Sequence, residues 1–493
     1  MKPSKLLLVI LSILVASGVC RERYKIVIVG AGAAGIATAT KLLENGIDDI
    51  LVLEAESRIG GRINTVDFHG CNVDLGAEWV GGEVNNVVYE TLKGRNLLYL
   101  LARDVFPEKF YLSSRQKISE KLSKELFDAV FAAFDINTGT GAHNSTGSVI
   151  QQRYRESIIK KFKAGDGDMD IFIWAEVFLR HFFLFAKGSF SWYDNAYTSD
   201  HETCPGYQNY GWKNHGYGKF LDVLIRKYPN PSRQLPFFEK LLVDKEVTKI
   251  TVNDDHIVIN CSDNSHYKAN HVVFTTSIGV LKENHKKLFS PKLPIYKQLA
   301  IERIGIGAVI KVFLKYEHEW WGNSSGFNFI WTEKDRISSS TEFPEGPENK
   351  YGQSWITEIY NVIVIPNSRI LLVVFTGDMV PIIEKLDVEI VTNGIKFTLK
   401  KFLGHLYKIM EPQTMIRSNW YHNPHFRGTY SFSSINSTGE DVKNLMAPIK
   451  NAEGCPIILF AGEATSPLHH SSAHGAVESG FREAERLINI YKN

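Results

Sequence analysis

Residues 24–35 read YKIVIVGAGAAG, and this stretch decides the fold. Tyr24 to Val29 is an apolar, β-branched run of the kind that a strand buried on both faces requires. It leads straight into the turn Gly30 to Gly35, after which Ile36 to Asn45 carries small and apolar residues at helical spacing, closed by Gly46. In such a strand, turn and helix the glycines make a tight turn, let backbone approach a pyrophosphate, and let helix and strand pack closely; the helix N-terminus supplies N–H donors. The order predicts a dinucleotide site in which Gly30, Gly32, Ala33, Ala34 and Gly35 form the phosphate turn.

Working outward, a second strand is expected at Ile50 to Leu53, ending at Glu54, whose distance from the glycines suits an acceptor for ribose hydroxyls. To this point nicotinamide and flavin dinucleotides are served equally. The next residues, Ala55 to Arg62, bring Arg58, Gly60, Gly61 and Arg62, whose backbone and guanidinium groups can hold further phosphate and flavin contacts. The 493 residues, 44% apolar and 22% charged, are those of a globular enzyme with room for two cores. Lys and Arg number 56 against 54 Asp and Glu, so no strong field argues for nucleic acid or an anionic membrane as partner.

The extended run Glu54 to Arg62 resembles the flavin amine oxidases and not the NAD dehydrogenases. From there the chain is similar to that family almost throughout, most of all to the spermine and polyamine oxidases. The resemblance implies FAD as cofactor, with Gly76, Ala77, Glu78 and Trp79 running along the flavin ring and the Val247 backbone meeting the adenine. The run Val272 to Lys282 is similar to a family strand and loop. Lys311, in Ile304 to Tyr316, falls on the family's active-site lysine, which is implied to hold a water beside flavin N5; a cation there would stabilise charge as oxygen is reduced. Trp420 and Tyr430 lie in a stretch similar to the family's tryptophan loop, Tyr430 on an aromatic position flanking the amine, where a ring face attracts cations. Thr429 stands where monoamine oxidases carry a flavin-linking cysteine, which implies non-covalent FAD. Ile458 to Gly480 resembles the closing FAD motif, with Gly462 and Glu463 near the ribityl and phosphates and His474, Gly475 and Ala476 approaching the ring.

Two positions depart from the family. Gly81 fills the place where polyamine oxidases carry Glu or His, and Ser472 the place of an aromatic residue or a threonine. Glu78 and Glu83 are the nearby carboxylates for a distal ammonium. The implied reaction takes hydride from an amine such as spermine, spermidine or an N-acetylated form and reduces oxygen to hydrogen peroxide. Two alternatives stay open: a secreted L-amino-acid oxidase, although no arginine stands at a recognisable place for a substrate carboxylate, and a flavin-binding homologue with weakened turnover.

The expected architecture is α/β: a discontinuous Rossmann-like FAD-binding domain from residues 24–95, 205–295 and 425–493, and an α+β substrate domain with a mixed sheet from 96–204 and 296–424. The aromatic stretch Ile171 to Phe190 is interrupted by Glu176, Arg180, His181 and Lys187 and is expected as a half-buried helix, not a membrane span. Residues 1–20 have the layout of a signal peptide, which predicts secretion and no membrane attachment after cleavage. Sequons at Asn144, Asn260, Asn323 and Asn436 agree with that route. Cys71, Cys204, Cys261 and Cys455 would then sit where disulfides are permitted, with three possible pairings. No CxxC or clustered Cys/His spacing points to a metal. The expected partners are a small amine and O2, with a monomer or weak homodimer as the assembly.

Overall fold

A computed structural model describes residues 23–101, 107, 109–134, 145–162, 167–197 and 201–492. The expected signal segment and Asn144 lie outside the described residues.

The strand Tyr24–Val29 forms and lies between two parallel neighbours, Ile50–Leu53 and His266–Phe274. Its Ile26, Val27 and Ile28 are fully buried, which is what its unbroken apolar run called for. These strands belong to a nine-stranded sheet completed on one side by Leu241–Leu242 and on the other by the antiparallel strands Ile257–Cys261 and Val247–Val252 and by Phe289–Ser290, with Pro456–Phe460 parallel to His266–Phe274 and Ile449–Lys450 antiparallel to Pro456–Phe460 in turn. The helix Ala33–Glu44 starts at Gly32 without a side-chain cap and ends at Asn45, with Gly46 at φ +77°. It packs on the C-terminal helix Ala473–Lys492 so closely that a Cβ on Gly480 would stand 2.3 Å from the Ala34 carbonyl oxygen.

Val272 to Lys282 differs from the expected strand and loop. The strand ends at Phe274, and Ser277 accepts from the Val280 N–H to start a helix, Ile278–Leu288. A Ser at the head of an apolar-periodic run is an N-cap signal, and here it prevails.

The second sheet has six strands in the order Thr414–Arg417, Ile310–Lys315, Ile370–Phe375, Ile359–Ile365, Gly326–Ile330 and Phe110–Leu112, the last pair parallel and the others antiparallel. One face packs on the helix Gly167–Lys187, the expected aromatic helix, through Phe178, Phe183 and Leu184; the other packs on Val388–Leu403 through Ile395, Leu399 and Phe402. Two short ladders cross the boundaries expected for the domains: Leu98–Leu100 pairs with Tyr210–Trp212, and Gly305–Gly307 with Tyr430–Phe432. Among the described residues no helix is long and apolar enough to cross a membrane, and none of the four described cysteines is in a disulfide.

Candidate active site

A single elongated cavity of about 700 Å³ runs from the carboxyl end of the first strand to the second sheet. That is within the range of about 300–1,000 Å³ usual for ligand clefts. Gly30, Gly32, Ala33, Ala34, Glu54, Ala55, Gly61 and Val247 line the dinucleotide part; Gly76, Ala77, Glu78, Trp79, Gly81, Lys311, Trp420 and Tyr430 line the rest, with Arg62 joining the two through its carbonyl, which accepts from the Ala77 N–H at 3.1 Å. Gly462, Glu463, Ser472, His474 and Ala476 complete the wall.

The dinucleotide end is shaped by backbone. Gly30, at φ +104°, lies against Thr275, whose Oγ1 would be 2.6 Å from any Cβ there. The Glu54 carboxylate accepts from the Ala31 N–H at 2.6 Å and the Glu56 N–H at 2.9 Å, fixing its direction. Burial raises its pKa, and those two N–H groups partly offset the rise. A flavin dinucleotide fits these residues: the uncapped start of Ala33–Glu44 leaves N–H groups for a pyrophosphate, and Thr276, in the cavity wall, has a buried hydroxyl with no protein partner.

Arg62 and Glu463 form an ion pair at 2.9 Å in this wall. Burial alone would raise the pKa of Glu463, but Arg62, the Ser431 hydroxyl and the Ser471 N–H prevail and hold it below the ordinary carboxylate value. Arg62 also donates to the Thr429 carbonyl at 2.8 Å, so the guanidinium locks the tryptophan loop to the sheet.

Three of the residues expected at the cofactor stand apart from the cavity. Arg58 pairs with Glu56 at 2.7 Å and turns to the Ile59 and Ile63 carbonyls. Gly35 is a packing residue, since a Cβ on it would be 1.9 Å from the Gly30 oxygen; Gly475 is another, with the His469 oxygen at 2.0 Å. Glu83, expected as a carboxylate for a distal ammonium, instead accepts from the Tyr210 hydroxyl outside the lining. Ser472 reaches the wall, but its hydroxyl is spent on the His469 carbonyl and the Gly475 N–H.

At the amine end Lys311 is buried on the strand Ile310–Lys315. Its Nζ donates to Glu78 Oε2 at 2.5 Å, the Gly76 carbonyl at 2.9 Å and the Asp74 carbonyl at 3.2 Å, and lies 5.0 Å from the centre of the Trp79 ring. All three ammonium hydrogens thus have protein acceptors, so a water on Nζ requires one of them to yield. Asp74 is pushed up to about 7 by burial, with the nearby Glu78 adding to the rise. Trp420 donates from its indole to the Leu75 carbonyl at 2.9 Å, bracing the same segment. Tyr430 donates to the Phe185 carbonyl at 2.5 Å; burial pushes its phenol pKa up, keeping it neutral.

The sequence reading missed Thr276 and Cys204 in this wall. Cys204 lies where the segment 201–205 docks on 466–474, joined by the Glu202 N–H to the Leu468 carbonyl at 2.8 Å. Its Sγ lies 3.5 Å from His469 Nε2 and 3.6 Å from His474 Nε2. Burial holds His474 down to about 4 and raises the Cys204 thiol. The paired histidines at 469 and 470, shortly before His474, were the available signal.

The sequence model of the flavin containing amine oxidoreductases matches residues 33–488. The chain is 27% identical to a probable polyamine oxidase 5 of Arabidopsis thaliana over 96% of its length and 99% of the relative. It is 25% identical to a peroxisomal N(1)-acetyl-spermine/spermidine oxidase of Bos taurus, covering 95% of each chain. Among solved structures it is similar to a putrescine oxidase double mutant redesigned in cofactor binding, with a TM-score of 0.65, 16% identity, and coverage of 95% of this chain and 99% of the other.

Proposed function

We propose, from the premise that the chain belongs to the family of flavin containing amine oxidoreductases, that the amine it oxidises is a polyamine such as spermine, spermidine or an N-acetylated form. The observation that carries this reading is the pairing of Lys311 with Glu78, 2.5 Å apart in a cavity wall that also carries the rings of Trp79, Tyr430 and Phe185. A lone buried ammonium would repel a cationic substrate. With Glu78 beside it the wall is close to neutral, and the ring faces of Trp79 and Tyr430 can receive an alkylammonium.

FAD, held non-covalently in the site lined by Gly30, Glu54 and Val247, would supply the hydride acceptor and the route of two electrons to oxygen. This chain's own residues do the rest. The N–H groups at the head of Ala33–Glu44 and the fixed carboxylate of Glu54 bind and orient the dinucleotide. Lys311, held by its three acceptors, would stand where charge develops as oxygen is reduced, and Tyr430, neutral and tethered to Phe185, positions the amine. Hydride loss from the α-carbon needs the nitrogen lone pair, so the amine must react with its nitrogen neutral. The resulting imine is hydrolysed by water to an aldehyde and an amine.

Export is part of the same proposal. Asn323 and Asn436 are exposed, and Asn260 is partly so on a strand, in keeping with glycan attachment at their sequons.

The reading is tested by peroxide production from spermine, spermidine, their acetylated forms and a set of L-amino acids. Turnover confined to the polyamines is expected. Peroxide from the amino acids alone would replace this reading with the amino-acid oxidase one.

A further inference from the structure

We propose that Cys204, His469 and His474 form a binding site for a divalent metal of the zinc class in the wall of the amine cavity. The three ligand atoms, Sγ and two Nε2, all lie within 4.8 Å of one another. The two sulfur-to-nitrogen distances, 3.5 and 3.6 Å, are the more telling quantity. A zinc ion about 2.3 Å from sulfur and about 2.0–2.1 Å from nitrogen, with tetrahedral angles, sets its sulfur and nitrogen ligands about 3.6 Å apart. Both pairs already have that spacing. The two imidazoles are tilted by 58° with centroids 4.9 Å apart, so their Nε2 atoms meet at one sulfur without stacking.

Hydrogen bonding alone accounts poorly for the arrangement. A thiol has one hydrogen, and three acceptors lie within its reach: the two nitrogens and the Asn85 carbonyl at 3.5 Å. The second contact then needs a weak N–H to sulfur bond, while a cation would satisfy all three groups as electron-pair donors.

The outer partner is also in place. His469 Nδ1 lies 2.8 Å from Glu478 Oε2, and a carboxylate there accepts a hydrogen bond from Nδ1–H, which leaves the Nε2 lone pair facing the sulfur. Glu478 stands on the helix Ala473–Lys492, one turn beyond His474, so one helix fixes a ligand and the orienter of another. Nearby Gly82, at φ +83°, has room only for hydrogen against Cys204, whose Cβ would be 2.4 Å from an added Cβ. The ligand segment is thereby pressed against the flavin-side wall. Cys204 and His474 line the cavity and His469 stands behind them, so the ion sits at the wall with three protein ligands and its remaining coordination open to water or substrate. Binding needs the thiol as thiolate; its proton goes to solvent as the metal–sulfur bond forms, and no redox step is involved.

The site rests on the oxidase reading only for its place in the cavity wall, where Cys204 and His474 both stand, and its test does not depend on turnover. The full-length flavin-loaded protein, stripped with a chelator, is titrated with Zn2+ against a chromogenic zinc indicator, and with Co2+ to observe the thiolate-to-cobalt absorption. One ion per chain with a thiolate band is expected, lost in Cys204→Ala and in His469→Ala, with Glu478→Gln binding roughly 10- to 100-fold more weakly. The flavin spectrum of each variant checks its folding. Sub-stoichiometric binding by the wild type, or binding with no thiolate band, overturns the proposal. Metal binding without reduction of the flavin by any amine would instead remove the substrate reading and leave the site standing.

Discussion

The two ends of the cavity are built by different means. At the dinucleotide end the work falls to backbone: glycine at positive φ, an uncapped helix start, a carboxylate aimed by two N–H groups. At the amine end it falls to side chains from segments far apart in sequence, and each is committed to a protein partner: Lys311 to Glu78, Tyr430 to Phe185, Trp420 to Leu75. The first end is therefore rigid by covalent geometry. The second is rigid only as a network, so removing one member releases its neighbours. Breaking the first should cost the cofactor, and breaking the second should spare the cofactor and cost turnover.

The largest effect is expected from Gly35→Ala. Its Cβ would be 1.9 Å from the Gly30 oxygen, so the turn must open. Loss of bound flavin and about 1–3 kcal/mol of stability are expected, read from the flavin-to-protein absorbance ratio and the urea midpoint. A fully loaded variant would show that the turn is not what holds the dinucleotide.

Lys311→Met should keep its flavin and slow oxygen-dependent reoxidation roughly 10²- to 10³-fold, the range for loss of a preorganised electrostatic group. Because Glu78 would be left without its cation, Glu78→Gln added to that variant should cost less than it does alone; stopped-flow rates of the four proteins measure the coupling. Additive losses would dissolve the pair.

Next comes pH. The reacting amine must be neutral, and below its pKa each pH unit raises the neutral fraction about tenfold. The kcat/KM for the best polyamine should therefore climb from neutral to mildly alkaline pH. A flat profile would mean that the protein takes the proton itself.

A smaller effect concerns stability. Asp74 is held near 7 by burial, well above its unfolded value. The folded chain therefore binds an extra proton between about pH 4 and 7, and stability falls as pH rises through that window. Asp74→Asn should flatten this fall, seen as a weaker dependence of Tm on pH. Least of all, Asn323→Gln should remove one glycan's mass from the exported protein with no change in kinetics; unchanged mass would argue against modification at that sequon.

The same contrast explains what was legible in the sequence. The strand Tyr24–Val29, its turn and Glu54 could be read because backbone demands are written in local residue types: β-branched run, glycine, acidic end. Lys311 and Tyr430 could be placed in one cavity only through family resemblance, since nothing local to either residue names the other. The fates of Arg58 and Glu83 were illegible for the same reason: their partners Glu56 and Tyr210 were chosen by the folded chain. Cys204 lies 265 residues from His469, and no spacing rule could join them. Ser277 was legible as an N-cap, but a family likeness to a loop obscured it.

Everything proposed here turns on one cavity holding a flavin with Lys311 and Tyr430 at its amine end. Its most direct test is anaerobic mixing of the flavin-loaded protein with spermine and spermidine at mildly alkaline pH, followed by the flavin absorbance band. Complete bleaching by a polyamine is expected, with none by L-amino acids, and bleaching that persists in Lys311→Met although reoxidation on admitting oxygen is slow. A band that stays oxidised with every amine, in a protein shown to carry its flavin, would contradict it.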